Sequence, residues 1–448
     1  MFEVAVRHSC HFDTIQMPVN IMDAHHDSFQ DIIFPIAQRQ ETAVLATKIQ
    51  RSRFVKNRWL ASASRTTELP VDSKGGEMSK TRSILTASVV LAGALGGVVL
   101  AAGHAFSAEG ITEVATFRHQ VTGVTVTTDG RIFVNFPRWT DDAPISVAEL
   151  LPGGKLRPYP DETWNSWRNA SATKMSVEDH FVCVQSVVAD QHGALWVLDP
   201  AAPGNEKILP GGPKLVRIDL ATNKVTKVIS FSPEVALQGT YLNDIRFSPD
   251  GKTGYITDSG TRGAIIVVNL EDGTAFRALD GDASTQIEKD VVVHVDGKPL
   301  RRPDGRQPAF AADGIALSND GETLYWQALT GKTLYSIATA KLTKSTSAAD
   351  IKAAVKTVGT TNVADGLWMS KAGILYITSP EDNSVRRWVN ERAEIVVTDK
   401  RLRWPDTMSE GPDGTLYVTA SHIQDTYWFK PRAPASVPTA LFKFAPSH

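Results

Sequence analysis

Six segments of the chain repeat one pattern, and such a recurrence limits the fold to an architecture assembled from like units. They are VTGVTVTTDGRIFVN from Val121, VQSVVADQHGALWVL from Val184, LNDIRFSPDGKTGYIT from Leu242, ADGIALSNDGETLYWQ from Ala312, ADGLWMSKAGILYIT from Ala364 and PDTMSEGPDGTLYVT from Pro405. Each has an alternating stretch, a turn closing on glycine, and a second β-rich stretch. The turn glycines are Gly130, Gly193, Gly251, Gly321, Gly373 and Gly414, and most follow Asp, a pairing that tight hairpins favour. Six residues before each glycine stands an apolar residue: Val124, Val187, Ile245, Ile315, Leu367 and Met408. The second strand carries an aromatic column: Phe133, Trp196, Tyr255, Tyr325, Tyr376 and Tyr417. Copies roughly 40 to 70 residues apart leave room for four strands each. The expected fold is all-β, a six-bladed β-propeller whose neighbouring sheets bury the aromatic faces.

The repeats occupy only part of the 448 residues. None of the 32 glycines precedes Gly75, where roughly five would be expected at average usage. Residues 1–77 lack sustained periodicity and are expected to be a non-domain extension. From Met78 the chain reads MSKTRSILTASVVLAGALGGVVLAAGHAFSAEG, with Lys80 and Arg82 ahead of an uncharged apolar run, Ile84 to Ala102, and then small residues. That is the layout of a secretory signal peptide over 78–108, with Ala105 or Ala108 at the cleavage site. A membrane anchor is the alternative, since the run approaches the ~20 residues that span a bilayer. Gly93, Gly96 and Gly97 and the small residues behind them favour cleavage. The propeller is then expected over 109–448 in a secreted or periplasmic protein, a monomer without stable membrane association after cleavage. Cysteine agrees with the split: Cys10 lies in the extension and Cys183 stands alone in an apolar run, expected to be buried and inert. A net charge of −2 leaves no basic footprint for nucleic acid.

In a propeller the first strand of each blade lines the central channel and opens near one mouth. Eight positions before each turn glycine stand Thr122, Gln185, Asn243, Asp313, Asp365 and Asp406, every one polar. Asp and Asn also begin strands for local turn reasons. As a ring at one mouth, however, they offer ligands to a hard cation, calcium among them, or hydrogen bonds to a small polar molecule. Carboxylates so placed repel one another, so a bound cation or at least one raised pKa is expected. Residues after the second strand should return to the same mouth: Phe136, Arg138 and Trp139, Asp199, Asp258 with Ser259, Ser379, and His422. His422 is the general acid/base candidate, with a surface-loop histidine as its alternative. Asp304-Gly305 reads as a solvated basic turn. No G-x-S-x-G, H-E-x-x-H or P-loop motif is present.

The stretches VTGVTVTTDGRIFVNFPRW, LRPYPDETWN, VQSVVADQHGALWVLD, PKLVRIDL and LNDIRFSPDGKTGYITDSG resemble the Yellow/major royal jelly protein family from about residue 112 to 430. Within it they look like the bacterial, dopachrome tautomerase-related type. The resemblance implies a secreted six-bladed propeller, with either dopachrome conversion or the binding of biogenic amines among its activities. The chain departs from insect members in lacking disulfide cysteines. More distantly it resembles the regucalcin/gluconolactonase propellers, whose mouth metal is held by an Asn, an Asp and a Glu. Asn243 and Asp313 match two of these, whereas the Glu position falls near Thr122.

The expected function is binding of a small polar or aromatic molecule at the mouth. Isomerisation of an oxidised catechol would have Asp313 or Asp365 moving a proton, and Arg138 or His422 steadying charge. Thr122, Gln185, Asn243, Asp258 and Asp406 complete the ligand-binding set. A metal-dependent lactonase using Asn243 and Asp313, and a non-catalytic binding propeller, are the alternatives.

Overall fold

All six turn glycines adopt positive φ, between 69° and 84°, a conformation that a Cβ resists. Each closes the hairpin between the first and second strands of a four-stranded antiparallel sheet, and six such sheets form the blades of a propeller. The inner strands are Val124–Val126, Ser186–Ala189, Leu242–Phe247, Ala312–Leu317, Leu367–Met369 and Pro405–Glu410. They adjoin one another around the ring, the sixth meeting the first. The sixth blade takes its outer strand from the other end of the propeller: Thr112–Phe117 pairs antiparallel with Thr439–Phe444.

The computed structural model describes residues 110–446 and, before them, two short strands, Thr14–Met17 and Ala43–Ala46, paired in parallel. The chain divides into two compact units, Met1–Val99 and Leu100–His448. The signal-like segment 78–108 lies outside the described residues, as does Cys10. Among the described residues no helix is long and apolar enough to cross a membrane.

The two sequence columns explain why blades stack. Phe133 of the first blade packs in a cluster with Val187 of the second, and Trp196 of the second with Ile245 of the third. Tyr255 likewise meets Ile315, Tyr325 meets Leu367, Tyr376 meets Met408, and Tyr417 meets Val124 across the closing seam. Each aromatic thus faces the inner strand of the next blade, six times over. Burial of such a side chain contributes roughly 1.5–3 kcal/mol. The packing repeats with the blade, so no disulfide is needed to hold the ring.

Two glycines bring the inner strands unusually close. A Cβ on Gly314 would stand 2.6 Å from the carbonyl oxygen of Asp365, and one on Gly366 2.0 Å from that of Asp406. Backbone touches backbone where the acidic residues begin. The Asp-Gly dipeptides at 313–314 and 365–366 therefore supply both the carboxylates and the close approach that gathers them.

At the end where inner strands begin, here called upper, the loops are long and carry a separate apolar cluster. It includes Trp139, Cys183, Tyr241, Trp404, Trp428 and Phe429, joined by Val293, Val295 and Leu300 from the insert before the fourth blade. That insert contains a small hairpin, His294–Val295 with Lys298–Pro299. Its Asp296 pairs with both terminal nitrogens of Arg403, at 2.9 and 2.8 Å. Asp304 and Arg306 form an exposed pair with each other, the solvated turn expected there.

Candidate functional site at the channel mouth

Five of the six column residues converge. Gln185, Asn243, Asp313, Asp365 and Asp406 line one small cavity at the upper mouth, each at most 8% exposed. Above them stand Trp139, Tyr241, Phe310 and Trp428. The exception is Thr122, which is wholly buried and accepts a hydrogen bond from Asn135 Nδ2 at 2.9 Å. It belongs to the first blade's framework and does not line the cavity.

The ring is internally bonded. Asn243 Nδ2 donates to Asp313 Oδ1 at 2.6 Å, and Trp404 Nε1 donates to Asp365 Oδ2 at 2.5 Å. The Thr407 hydroxyl donates to Asp406 Oδ1 at 3.1 Å. The rim is tied to the ring through Tyr241, whose hydroxyl accepts from Trp139 Nε1 at 2.7 Å and donates to Gln185 Oε1 at 3.3 Å. The Trp139 and Trp428 rings lie 5.3 Å apart.

Among the described residues no Lys, Arg or His lines this cavity. Burial raises Asp313 and Asp406 well above the usual carboxylate range, and the charge of Asp365 adds to both. Asp365 is pushed up to about 6 by burial, with the Trp404 indole and a bond to Asp313 holding it lower than its neighbours. The three titrate as a set, because each charge alters the others. The cavity's volume is only ≈30 Å³, about one water molecule's share of the liquid.

Below the ring the channel continues between Ser186, Asp244, Gly366 and Thr407. Asp244 accepts from Ser186 Oγ at 2.7 Å and pairs with Arg246 Nη1 at 2.8 Å. Arg246 reaches from the third blade to the fifth, donating from Nη2 to the Leu367 carbonyl at 2.9 Å. It bolts the channel beneath the acids. Sequence reasoning missed this pair. The signal was there: the columns seven and five positions before the turn glycine are small or apolar with hydroxyls, and each has a single charged member, Asp244 and Arg246.

Several residues expected at the mouth do other work, and Arg138 is the clearest correction. It is fully buried and donates to carbonyls of Ala143, Phe181, Val182 and Asn165 and to Ser146 Oγ. Burial lowers it to about 10, so it stays charged while holding loops together. Asp258 is buried as well, accepting from the Tyr241 and Gly260 amides and pairing with Arg277 at 2.7 Å. Asp199 does the same in the second blade, with Lys214 at 2.9 Å and the amides of Val182, Cys183 and Ala201. Both clamp the end of a second strand to the segment before an inner strand. Phe136 packs in the core against Phe117. Ser259 and Trp139 do line the cavity, whereas Ser379 is buried away from it. His422 is half-buried, with Nδ1 3.6 Å from Asp425 Oδ2, and burial lowers its pKa. It stands beside Ile423 of the cavity wall without lining the cavity itself. The Cys183 thiol is buried and pushed up to about 12, as inertness requires.

The divalent cation implied by the distant propellers does not fit these residues as placed. Asn243 directs its amide nitrogen at Asp313. Among the described residues no three His, Cys, Asp or Glu side chains form a metal cluster.

A family model for the major royal jelly proteins matches residues 182–427. The chain belongs to the major royal jelly protein family. Relatives in that family include major royal jelly protein 7 of Apis mellifera, 27% identical over 201 residues, 43% of this chain and 42% of the relative. Major royal jelly protein 1 of the same species is 25% identical over 254 residues, 54% of each chain. The match thus spans about half of these relatives or less. Among solved structures, regucalcin from Agrobacterium tumefaciens, titled a calcium-binding protein, shares 14% identity, covering 76% of this chain and 94% of its own, with a TM-score of 0.45. A gluconolactonase-like structure shares 12% over 75% and 92%, also at 0.45. Likenesses so distant carry no chemistry across.

A concavity of ≈700 Å³ lies between the third and fourth blades beside Tyr255 and Phe276. It contains no residue of the polar column, and its size alone makes it no rival to the mouth.

Proposed function

We propose that this royal jelly-family propeller is a secreted or periplasmic monomer that binds a small aromatic amine at the upper channel mouth. One observation carries the reading: three carboxylates converge under an aromatic rim with no basic side chain in the wall. Their charge is compensated by protons or by a cation from outside. An ammonium group matches the ≈30 Å³ space, and the attached ring takes over part of the Trp139–Trp428 contact, so binding includes a rearrangement of the rim. Aromatic faces attract cations as well as rings.

Calorimetric titration with tyramine and with p-cresol, which lacks the amine, tests this. The full chain should bind tyramine well and p-cresol at least tenfold more weakly, and Asp313→Asn and Asp365→Asn should each weaken tyramine about tenfold. Equal affinity for the two ligands, or variants that bind as the parent does, would overturn it.

A second reading is favoured by the coupling of two neighbouring carboxyls, Asp313 and Asp365, both raised by burial. Coupled carboxyl groups that share a proton serve as base and acid in a proton shift. Isomerisation of a dopachrome-type molecule needs that alone: one proton leaves carbon to Asp365, another arrives from Asp313, with no oxidant. Loss of absorbance of dopachrome, abolished in Asp365→Asn, is the corresponding assay. A lactonase would instead lose activity with chelator and regain it with divalent metal.

A further inference from the structure

The inner strands end, at the lower mouth, around a second cavity of ≈210 Å³ to which all six blades contribute. Its character differs from that of the acidic mouth above. Val188, Phe247, Leu317, Trp368 and Met369 supply apolar wall; Arg246 and Lys371 are its cationic members, and Lys371 Nζ is occupied by the Gly411 carbonyl at 2.8 Å. The Arg246 guanidinium lies 5.7 Å from the centre of the Trp368 ring.

The hydrogen bonds around this cavity do not balance. The acidic side chains of the wall are already supplied: Asp190 accepts from the amides of His192 and Ala194 and from Trp196 Nε1, and Glu410 accepts from the Lys371 amide. His192 bonds to the Pro249 carbonyl, and Asn319 donates to the carbonyls of Ser370 and Lys371. Two donors remain without an acceptor, Arg246 Nε and Trp368 Nε1, both carried by residues that line the cavity and both shut off from solvent. A buried donor left unmade is expensive, and charged donors the more so. Two in one cavity call for an acceptor.

We propose that the lower vestibule is a second binding site, for a small aromatic carboxylate. Its carboxylate accepts from Arg246 Nε and Trp368 Nε1, and its ring lies against Phe247, Leu317 and Met369. The volume sets the size: it falls below the roughly 300 Å³ at which drug-sized pockets begin, and suits a single ring. Asp244 already neutralises part of the Arg246 charge, so the ring must supply much of the affinity and a bare anion should bind poorly. Reaching the two enclosed donors turns the Trp368 indole, which gives the event an optical signature.

The probe is benzoate, titrated into the full chain while tryptophan fluorescence and heat are followed. Wild type should show one saturable site, with a fluorescence change that disappears in Trp368→Phe. That variant keeps one aromatic ring and loses the five-membered half of the indole with its N–H donor and its fluorescence. Affinity measured by heat should fall about tenfold or more in Trp368→Phe and in Arg246→Met. Benzyl alcohol and inorganic phosphate, which have the ring or the anion alone, should bind at least tenfold more weakly. Saturating tyramine should leave the benzoate isotherm unchanged. The proposal is overturned if wild type shows no saturable benzoate binding, if benzyl alcohol or phosphate binds as well, or if Trp368→Phe keeps full affinity. Displacement of benzoate by tyramine would also overturn it, by placing both at one mouth. None of these outcomes depends on tyramine binding above, so this site and the upper one stand or fall separately.

Discussion

The two mouths of the channel are built from the same six inner strands, yet one is closed, acidic and aromatic while the other is wider and carries charges of both signs. The difference comes from the connections made at the two strand ends. At the lower end every inner strand runs straight into a tight glycine turn, which has no side chains to spare for a cap, and a cavity of ≈210 Å³ remains. At the upper end the connections are long, and their apolar residues pack into a cap that leaves ≈30 Å³. A strict repeat thus fixes the frame at both ends. Function enters where the repeat is broken, in loop length and in single residues of a column.

The boundary between the mouths is the Asp244–Arg246 pair, and breaking it tests the contrast most severely. Arg246→Met leaves Asp244 buried without its partner beneath three other acids. Destabilisation of about 3–5 kcal/mol is expected from a buried pair broken on one side, read by denaturant unfolding. The double change with Asp244→Asn should recover much of that loss. If the single variant is as stable as the parent, the two mouths are not electrostatically separated by this residue.

A smaller loss is expected from Gly366→Ala, whose Cβ would collide with the Asp406 carbonyl. Overpacking of this kind typically costs about 1–3 kcal/mol. Because the collision pries apart the fifth and sixth inner strands at the acids, tyramine should bind more weakly while benzoate is little affected. Equal loss at both mouths would show that the ring moves as a whole.

The mildest test is pH. Asp365 is raised to about 6, so the folded protein holds a proton there that the unfolded chain, with an ordinary aspartate, has released. Its contribution to stability is present below the ordinary aspartate range and is lost as pH rises through about 6. Asp365→Asn should flatten that decline and be the more stable form at pH 7. Ligand binding runs the other way, since an ammonium prefers the ionised carboxylate. Tyramine affinity should rise about tenfold between pH 5 and 7, and benzoate should show no such rise.

Much of the fold was readable in the residues because each blade states it again. Gly130 or Phe133 alone means little, but six equivalents with one geometry leave a single architecture. Asn243, Asp313, Asp365 and Asp406 were legible for the same reason, as a polar column in an apolar context. Arg138 and Asp258 lie off the cavity, and the sequence could not show it, because position along a strand says where a side chain starts and nothing of which buried amides or carbonyls await it. The Asp244–Arg246 pair escaped because the significance of each depends on strands distant in sequence, Ser186 for Asp244 and Leu367 for Arg246. The aromatic cap comes from unrelated loops and has no periodic signature at all.

The sixth blade has a consequence for the order of events in the cell. Among the described residues Thr112–Phe117 pairs in a sheet only with Thr439–Phe444, so the earliest propeller strand to be synthesised waits, as an unpaired edge, for the last. Contacts of such long sequence separation form slowly, and an open edge invites pairing with other chains. Five blades can be laid down in turn during synthesis, but the ring, and with it both mouths, comes into being only after the final strand has been made.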